Sequence, residues 1–307
     1  MQNATEFSFN ATSQKTSVII KVCVVIPLFF VFLCCIAIML HTFTSHRSFL
    51  DSSRYILFAH MLINDTLQIL SSVLLFLCAM AQLRFALLLC VPLLFLSTGT
   101  FQNTNLILAV MSLERYVAIF YPLQRPTFWR SDRIWIIILS LWVISFTFPI
   151  TEFFLGKQNP AADVLLSHVL CKAVVVNSLP VQGLFRAAVS VLFFAVVAVV
   201  ILFTYVRILM ETRKLRQDRA SVRKALHTVL LHGLQLLLCM LAFTHPFTET
   251  LIVMHTKWLQ EDIAFFNYFC FILFPRFLSP LIYGFRDQSL RKHIQNRFAR
   301  HPQKVRC

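Results

Sequence analysis

The chain has 307 residues, 58% hydrophobic, 14% aromatic and 13% charged, with a net charge of +15. A soluble domain carries about 25% charged residues and would have to bury nearly every apolar side chain this sequence offers, so a membrane protein is the economical reading. The five glycines are too dispersed to cradle a phosphate, and no GxGxxG, Walker A run, HExxH or CxxC pair is present, so no nucleotide cofactor or metal centre is expected.

In chain order, the first seventeen residues are polar enough to be a tail. They hold two glycosylation sequons, at Asn3 and Asn10. Seven stretches then meet the requirement of about 20 mostly apolar residues for a spanning helix. They run over 18–43, 55–81, 85–119, 134–153, 186–209, 225–254 and 262–284. The first starts well inside the chain and lacks a small-residue cleavage site, so it is expected to stay as a span. A third sequon match, Asn64-Asp-Thr66, falls inside the second span, where the glycosylation machinery could not reach. Residues 285–307 form a basic tail in which Leu290, Ile294 and Phe298 recur one turn apart, the pattern of an amphipathic helix lying on a membrane surface. The expected fold class is an all-α membrane protein: a seven-transmembrane helix bundle (18–284) with a short cytoplasmic amphipathic helix.

An odd number of spans puts the two ends on opposite faces. Twenty Lys and Arg residues fall in one set of loops with the C-terminal tail, against seven in the other set. By the positive-inside rule the C-terminus is cytoplasmic and the N-terminus extracellular, which also places the two sequons outside. The basic excess faces anionic membrane lipid, and the loops lack the aromatic stacking residues of a nucleic-acid surface, so no nucleic-acid partner is expected.

The third span is free of charge from Phe85 to Leu113 and then ends in Glu114, Arg115 and Tyr116, within "LERYVAIFYPL". This ending resembles the rhodopsin-like (class A) G-protein-coupled receptors, and most closely the odorant receptors, whose version reads MAYDRYVAICxPL. Asp65 in "LINDTLQ", Trp142, Tyr205 in "LFTYVRI", "RKALHTVLLHG" and "SPLIYGFRDQSLRKHI" match further motifs in the right order over about 18–298. The wording is similar to a divergent fish-type odorant receptor. Departures are Glu114 for the usual aspartate, Ser279 for the asparagine of NPxxY, Cys34-Cys35 where the first span carries asparagine, and Met240 at the sixth-span toggle position.

The resemblance implies a set of roles. Cys90 lies 25 residues before Arg115, about 37 Å along a helix and so a membrane's height away; the family pattern pairs it with Cys171 in a disulfide. Arg115, with Glu114 and Tyr116, would hold the resting bundle shut, then swing toward Tyr205 and toward Tyr283, which follows Pro280, to open a groove for a heterotrimeric G-protein. The alternative for Arg115 is a snorkelling anchor. Asp65 occupies the family's mid-membrane cation position, with Thr104 and Ser279 as polar neighbours. Arg276 is a second intramembrane charge, expected to pair with Asp65 or to reach a backbone carbonyl or water instead.

The ligand pocket is expected in the outer half. Helical turns counted from Arg115 place Ser97, Thr98, Phe101 and Gln102 there, with Met240, Phe243 and Phe247 from the sixth span and Phe269 and Leu273 from the seventh. Ser97 stands where amine receptors carry an acid, so a charged amine would find nothing to offset its desolvation. The pocket suits a small, neutral organic molecule, an odorant. Other readings are a receptor for a lipid or peptide outside olfaction, or a transporter or channel. Against the last two, the sequence lacks the inverted repeats and Gly/Pro-broken spans that transporters and channels often show. An enzyme is not expected, because His60, His232 and His245 have no partnered nucleophile in sequence. The implied partners are a heterotrimeric G-protein, a small-molecule odorant and membrane lipids, at the plasma membrane.

Overall fold

A computed structural model of the chain describes residues 2–45, 51–121, 126–156, 168–171, 180–214 and 265–278, with the single positions 234 and 237. Apart from those two positions, the expected sixth span lies outside these residues, as does the helix expected after the seventh. Five helices within them are long and apolar enough to cross a membrane. They are α1 (Gln2–Ser45), α2 (Ser53–Met80), α3 (Leu87–Phe120), α4 (Ile134–Gly156) and α5 (Pro180–Lys214). A shorter apolar helix, Phe265–Leu278, falls in the expected seventh span. Helices are the natural outcome for such sequences, because in hydrocarbon every backbone N–H and C=O must be satisfied within its own segment.

Three differences from the sequence expectation concern boundaries. The helix of the first span begins at Gln2, so the backbone of residues 2–17 continues α1. The third span does not start at Phe85: Arg84–Ala86 is a short strand, β1, which pairs antiparallel with β2 (His168–Leu170). The fifth helix extends several residues beyond 186–209 at both ends.

The turn from α2 into β1 has a clear local cause. Leu83 N–H donates to Cys78 O at 3.0 Å and Gln82 N–H to Ala79 O at 3.2 Å. These two bonds make the reverse-turn cap that satisfies a helix's last carbonyls. The cap requires a left-handed residue, and Gln82 supplies it at φ 51°. The chain therefore reverses sharply and delivers Arg84–Ala86 to the ladder.

α3 is the central element, in contact with α2, α4 and α5, while α1 packs on α2. The core includes Phe32 and Ile36 of α1, Leu57 and Met61 of α2, Ile107 and Leu108 of α3, and Leu141 of α4. Large apolar side chains also point outward, among them Trp135, Ile136 and Leu139 on α4 and Leu192, Val196 and Val199 on α5. Lipid tails are as apolar as leucine, so this face costs nothing in a bilayer. Polar side chains do the reverse: Asn64, Asp65, Gln68, Thr100, Asn103 and Thr104 are all buried. At Gly99 a Cβ would sit 2.9 Å from the ring of Phe146. The absence of a side chain there is what lets α3 approach α4 so closely.

Candidate functional site

The buried polar residues form one connected network at mid-bundle. Asn64 and Asp65 are adjacent on α2. Thr100, Asn103 and Thr104 share a face of α3 by their i, i+3, i+4 spacing. Asn64 Nδ2 donates to Thr104 Oγ1 at 2.6 Å and to Thr100 O at 2.9 Å. Asn103 Nδ2 donates to Asn64 Oδ1 at 2.9 Å, and Ser145 Oγ reaches Asn103 Oδ1 at 3.4 Å, which brings α4 into the chain of bonds. Thr104 Oγ1 in turn donates to Asp65 Oδ1 at 2.8 Å.

Arg276 closes the network from the last helix. Its Nη1 lies 2.5 Å from Asp65 Oδ1 and also donates to Thr104 Oγ1. Its Nη2 donates to Phe101 O at 3.4 Å, and its guanidinium carbon stands 5.6 Å from the centre of the Phe101 ring. Both alternatives open for Arg276 in the sequence, the aspartate and a backbone carbonyl, are thus met by one side chain. A lone charge would be prohibitive here; the pair is neutral overall, and Thr104 uses its donor and both lone pairs. Among the described residues, Asp65 Oδ2, Gln68 Oε1 and Gln102 Oε1 are buried with no hydrogen-bond partner.

Of the four core residues expected from sequence, Asp65, Thr104 and Arg276 come together, and Ser279 lies outside the described residues. Sequence reading missed Asn64, Asn103 and Ser145. The signal available for Asn103 was the run of polar residues at helical spacing in an otherwise apolar third span. It also missed an ion pair between α4 and α5. Arg186, one of the seven Lys and Arg residues in the smaller loop set although it opens the expected fifth span, donates through Nε to Glu152 Oε1 at 2.7 Å and through Nη2 to the same oxygen. Gln182 Nε2 adds a bond to Glu152 O at 3.0 Å.

At the end of α3 that carries the Glu-Arg-Tyr run, Glu114 is buried and accepts a hydrogen bond from Ser53 Oγ at 3.3 Å. Arg115 and Tyr116 are half-buried. The Tyr116 ring lies 4.5 Å from Phe120 and 5.8 Å from Phe203 of α5. Tyr205 is half-buried on α5. Pro280 and Tyr283 fall outside the described residues. Trp142 Nε1 donates to His60 Nε2 at 3.0 Å, so that histidine serves as a hydrogen-bond acceptor between α2 and α4.

At the opposite end, Cys90 and Cys171 form a disulfide with Cα atoms 5.6 Å apart. Cys171 directly follows β2, so ladder and disulfide together clamp this segment to the start of α3. Below it, Ser97, Thr98, Phe101 and Gln102 are half-buried on α3. Phe269 is half-buried and Leu273 buried on the last helix. Met240, Phe243 and Phe247 lie outside the described residues, as do the side chains of Asn3 and Asn10. An aromatic cluster lines the contact of α2 with the last helix: Phe76 stacks on Tyr268 at 5.6 Å and meets Phe265 at 5.8 Å. Among the described residues no group of three or more His, Cys, Asp or Glu side chains could hold a metal ion.

The arrangement is that of a bundle with a polar spine, an ionic motif at one end and a clamped loop at the other. Comparison with known proteins points the same way. Residues 37–283 match the family described as 7 transmembrane receptor (rhodopsin family). Among similar proteins, "Odorant receptor 131-2" of Danio rerio is 31% identical over 183 residues, 59% of this chain and 56% of that receptor. "Olfactory receptor 51I1" of Homo sapiens is 27% identical over 214 residues, 66% of this chain and 65% of that one. "Hydroxycarboxylic acid receptor 3" of Homo sapiens is 26% identical over 217 residues, 65% of this chain and 52% of that one. The matched stretch thus spans less than two thirds of each relative's length. These are signalling receptors rather than enzymes, and the spine, motif and clamp occupy the matched region: the chain belongs to the rhodopsin family of seven-transmembrane receptors.

Proposed function

We propose that this chain is an odorant receptor of the plasma membrane. It binds a small, neutral organic molecule in the outer half of the bundle and activates a heterotrimeric G-protein of the stimulatory type, raising cyclic AMP. The N-terminus is extracellular and the C-terminus cytoplasmic. The observation that carries the reading is the double use of Phe101. It stands on the pocket face of α3, and both its carbonyl and its ring meet Arg276. A ligand that displaces this residue acts directly on the charge pair that ties the last helix to α2 and α3. At the other end of α3, Arg115 and Tyr116 form the G-protein-facing motif, with Glu114 as the resting partner and Tyr205 and Tyr283 as the active-state ones.

The ligand class follows from the lining. Ser97, Thr98 and Gln102 offer hydrogen bonds without net charge, and Phe101, Phe269 and Leu273 offer apolar area, to which Met240, Phe243 and Phe247 add. A cationic ligand would be desolvated without compensation, whereas a neutral odorant fits a mostly apolar site with few polar groups. The test is to express the chain in cells with a cyclic AMP reporter and screen water-soluble odorants. The expected result is a dose-dependent rise that Arg115→Ala abolishes with surface display intact. A ligand-driven current in cells lacking G-proteins would overturn the reading in favour of a channel. Labelling of terminal epitopes on intact cells checks the orientation; both tags on one side would refute it.

A further inference from the structure

Two polar bridges join α2 to the helix Phe265–Leu278. Tyr268 Oη donates to Ser72 Oγ at 3.3 Å, and Arg276 Nη1 reaches Asp65 Oδ1 at 2.5 Å. The two anchors on α2, Asp65 and Ser72, are seven residues apart, whereas Tyr268 and Arg276 are eight apart. Two α-helices cannot match these spacings. At 3.6 residues per turn, seven residues return to within about 20° of the starting face, but eight end about 80° round the helix.

The backbone resolves the mismatch. The six residues Tyr268–Leu273 form a π turn, after which Phe274 N–H bonds to Phe269 O, five residues back. A turn closed i→i+5 takes up one more residue than an α turn. Eight residues therefore count as seven, and both side chains arrive on α2. The sequence supplies a reason for the wide turn. Pro275 has no N–H to give to the carbonyl of Phe271, and in a regular α-helix its ring would clash with that carbonyl.

We propose that Pro275 and the π turn are a positioning device: they set Arg276 on Asp65 while Tyr268 stays on Ser72. The two halves of this helix meet at the wide turn. Closing it to an α turn carries one bridge about 100° away from its partner. Neither Pro275 nor the turn needs to touch a ligand for this.

The experiment uses the full-length receptor with an epitope tag, in cells, and reads two quantities. One is the amount at the cell surface. The other is disulfide cross-linking between Ser72→Cys and Tyr268→Cys. With Pro275→Ala removing the cause of the wide turn, deleting Cys270 leaves the anchors seven apart on a regular helix, so surface level and cross-linking should both persist. Inserting an alanine after Cys270 makes the spacing nine, and surface level should fall several-fold with loss of the cross-link. Pro275→Ala should weaken the cross-link, and deletion of Cys270 in the same chain should restore it. Equal damage from deletion and insertion, equal tolerance of both, or no restoration would each overturn the proposal. The assay needs neither ligand nor G-protein, so its failure would leave the receptor reading untouched, and failure of that reading would leave the register result standing.

Discussion

Arg276 and Asp65 face each other with side chains only 2% and 0% exposed, and Thr104 binds both. Removing one partner leaves the other charge buried and alone, at a cost of about 3–5 kcal/mol. Arg276→Ala and Asp65→Asn are each expected to lower surface display several-fold. The exchanged pair, Asp65→Arg with Arg276→Asp, should recover part of it, because the neutral sum is kept while Phe101 O and Thr104 lose their fitted donor. Flow cytometry of tagged receptor measures all three. Normal surface display and signalling of Arg276→Ala would show that the pair is not structural.

Gly99 makes a separate, steric prediction. A methyl group there meets the Phe146 ring at 2.9 Å, and Trp142 stacks on the same ring at 5.4 Å. That aromatic stack limits how far Phe146 can give way. Gly99→Ala should destabilise by about 1–3 kcal/mol, the usual range for overpacking. Gly99→Ala with Phe146→Leu should be milder than Gly99→Ala alone. Thermal unfolding of detergent-solubilised receptor is the measurement.

The cap after α2 predicts a gain. Gln82 carries a positive φ that glycine adopts without penalty. Gln82→Gly should stabilise by about 0.5–1 kcal/mol, because a left-handed non-glycine residue costs roughly 1–2 kcal/mol and the freer unfolded chain takes part of that back. The same thermal assay should show a small rise in Tm, and a fall would mean that the Gln82 side chain contributes more than the cap geometry implies.

The disulfide closes a sequence separation of 81 residues beside the two-stranded ladder. Loss of a native disulfide costs about 2–5 kcal/mol. Cys90→Ser and Cys171→Ser should each reduce surface display, and the double substitution should be no worse than either single one, since one bond is lost in every case. An additive double effect would indicate separate roles for the two thiols.

Particular residues show how far the chain could be read without its structure. The apolar runs containing Phe32, Leu62, Ile107 and Ile138 announce membrane helices, because length and hydrophobicity are properties of a local stretch. Resemblance paired Cys90 with Cys171, and the pairing of Asp65 with Arg276 was one of the alternatives open for that arginine; the structure brings both pairs together. By contrast, nothing local in "LINDTLQ" says that Asn64 faces Thr100 while Thr66 bonds back to its own helix at Leu62 O. Arg186 looked like one more loop charge until α4 brought Glu152 to it. The short β1–β2 ladder joins segments more than eighty residues apart, beyond any local pattern.

The sequence alone determined that this chain crosses a membrane repeatedly, and which residues carry charge into its interior. A helix buries its own backbone bonds, and its hydrophobicity needs no neighbour to be read. Tertiary structure decided which polar side chains meet, and it did so through helix rotation. One residue more or less in a turn swings a side chain by about 100°. The π turn above Arg276 and the close approach of α3 to α4 at Gly99 set that rotation only once the helices are packed together.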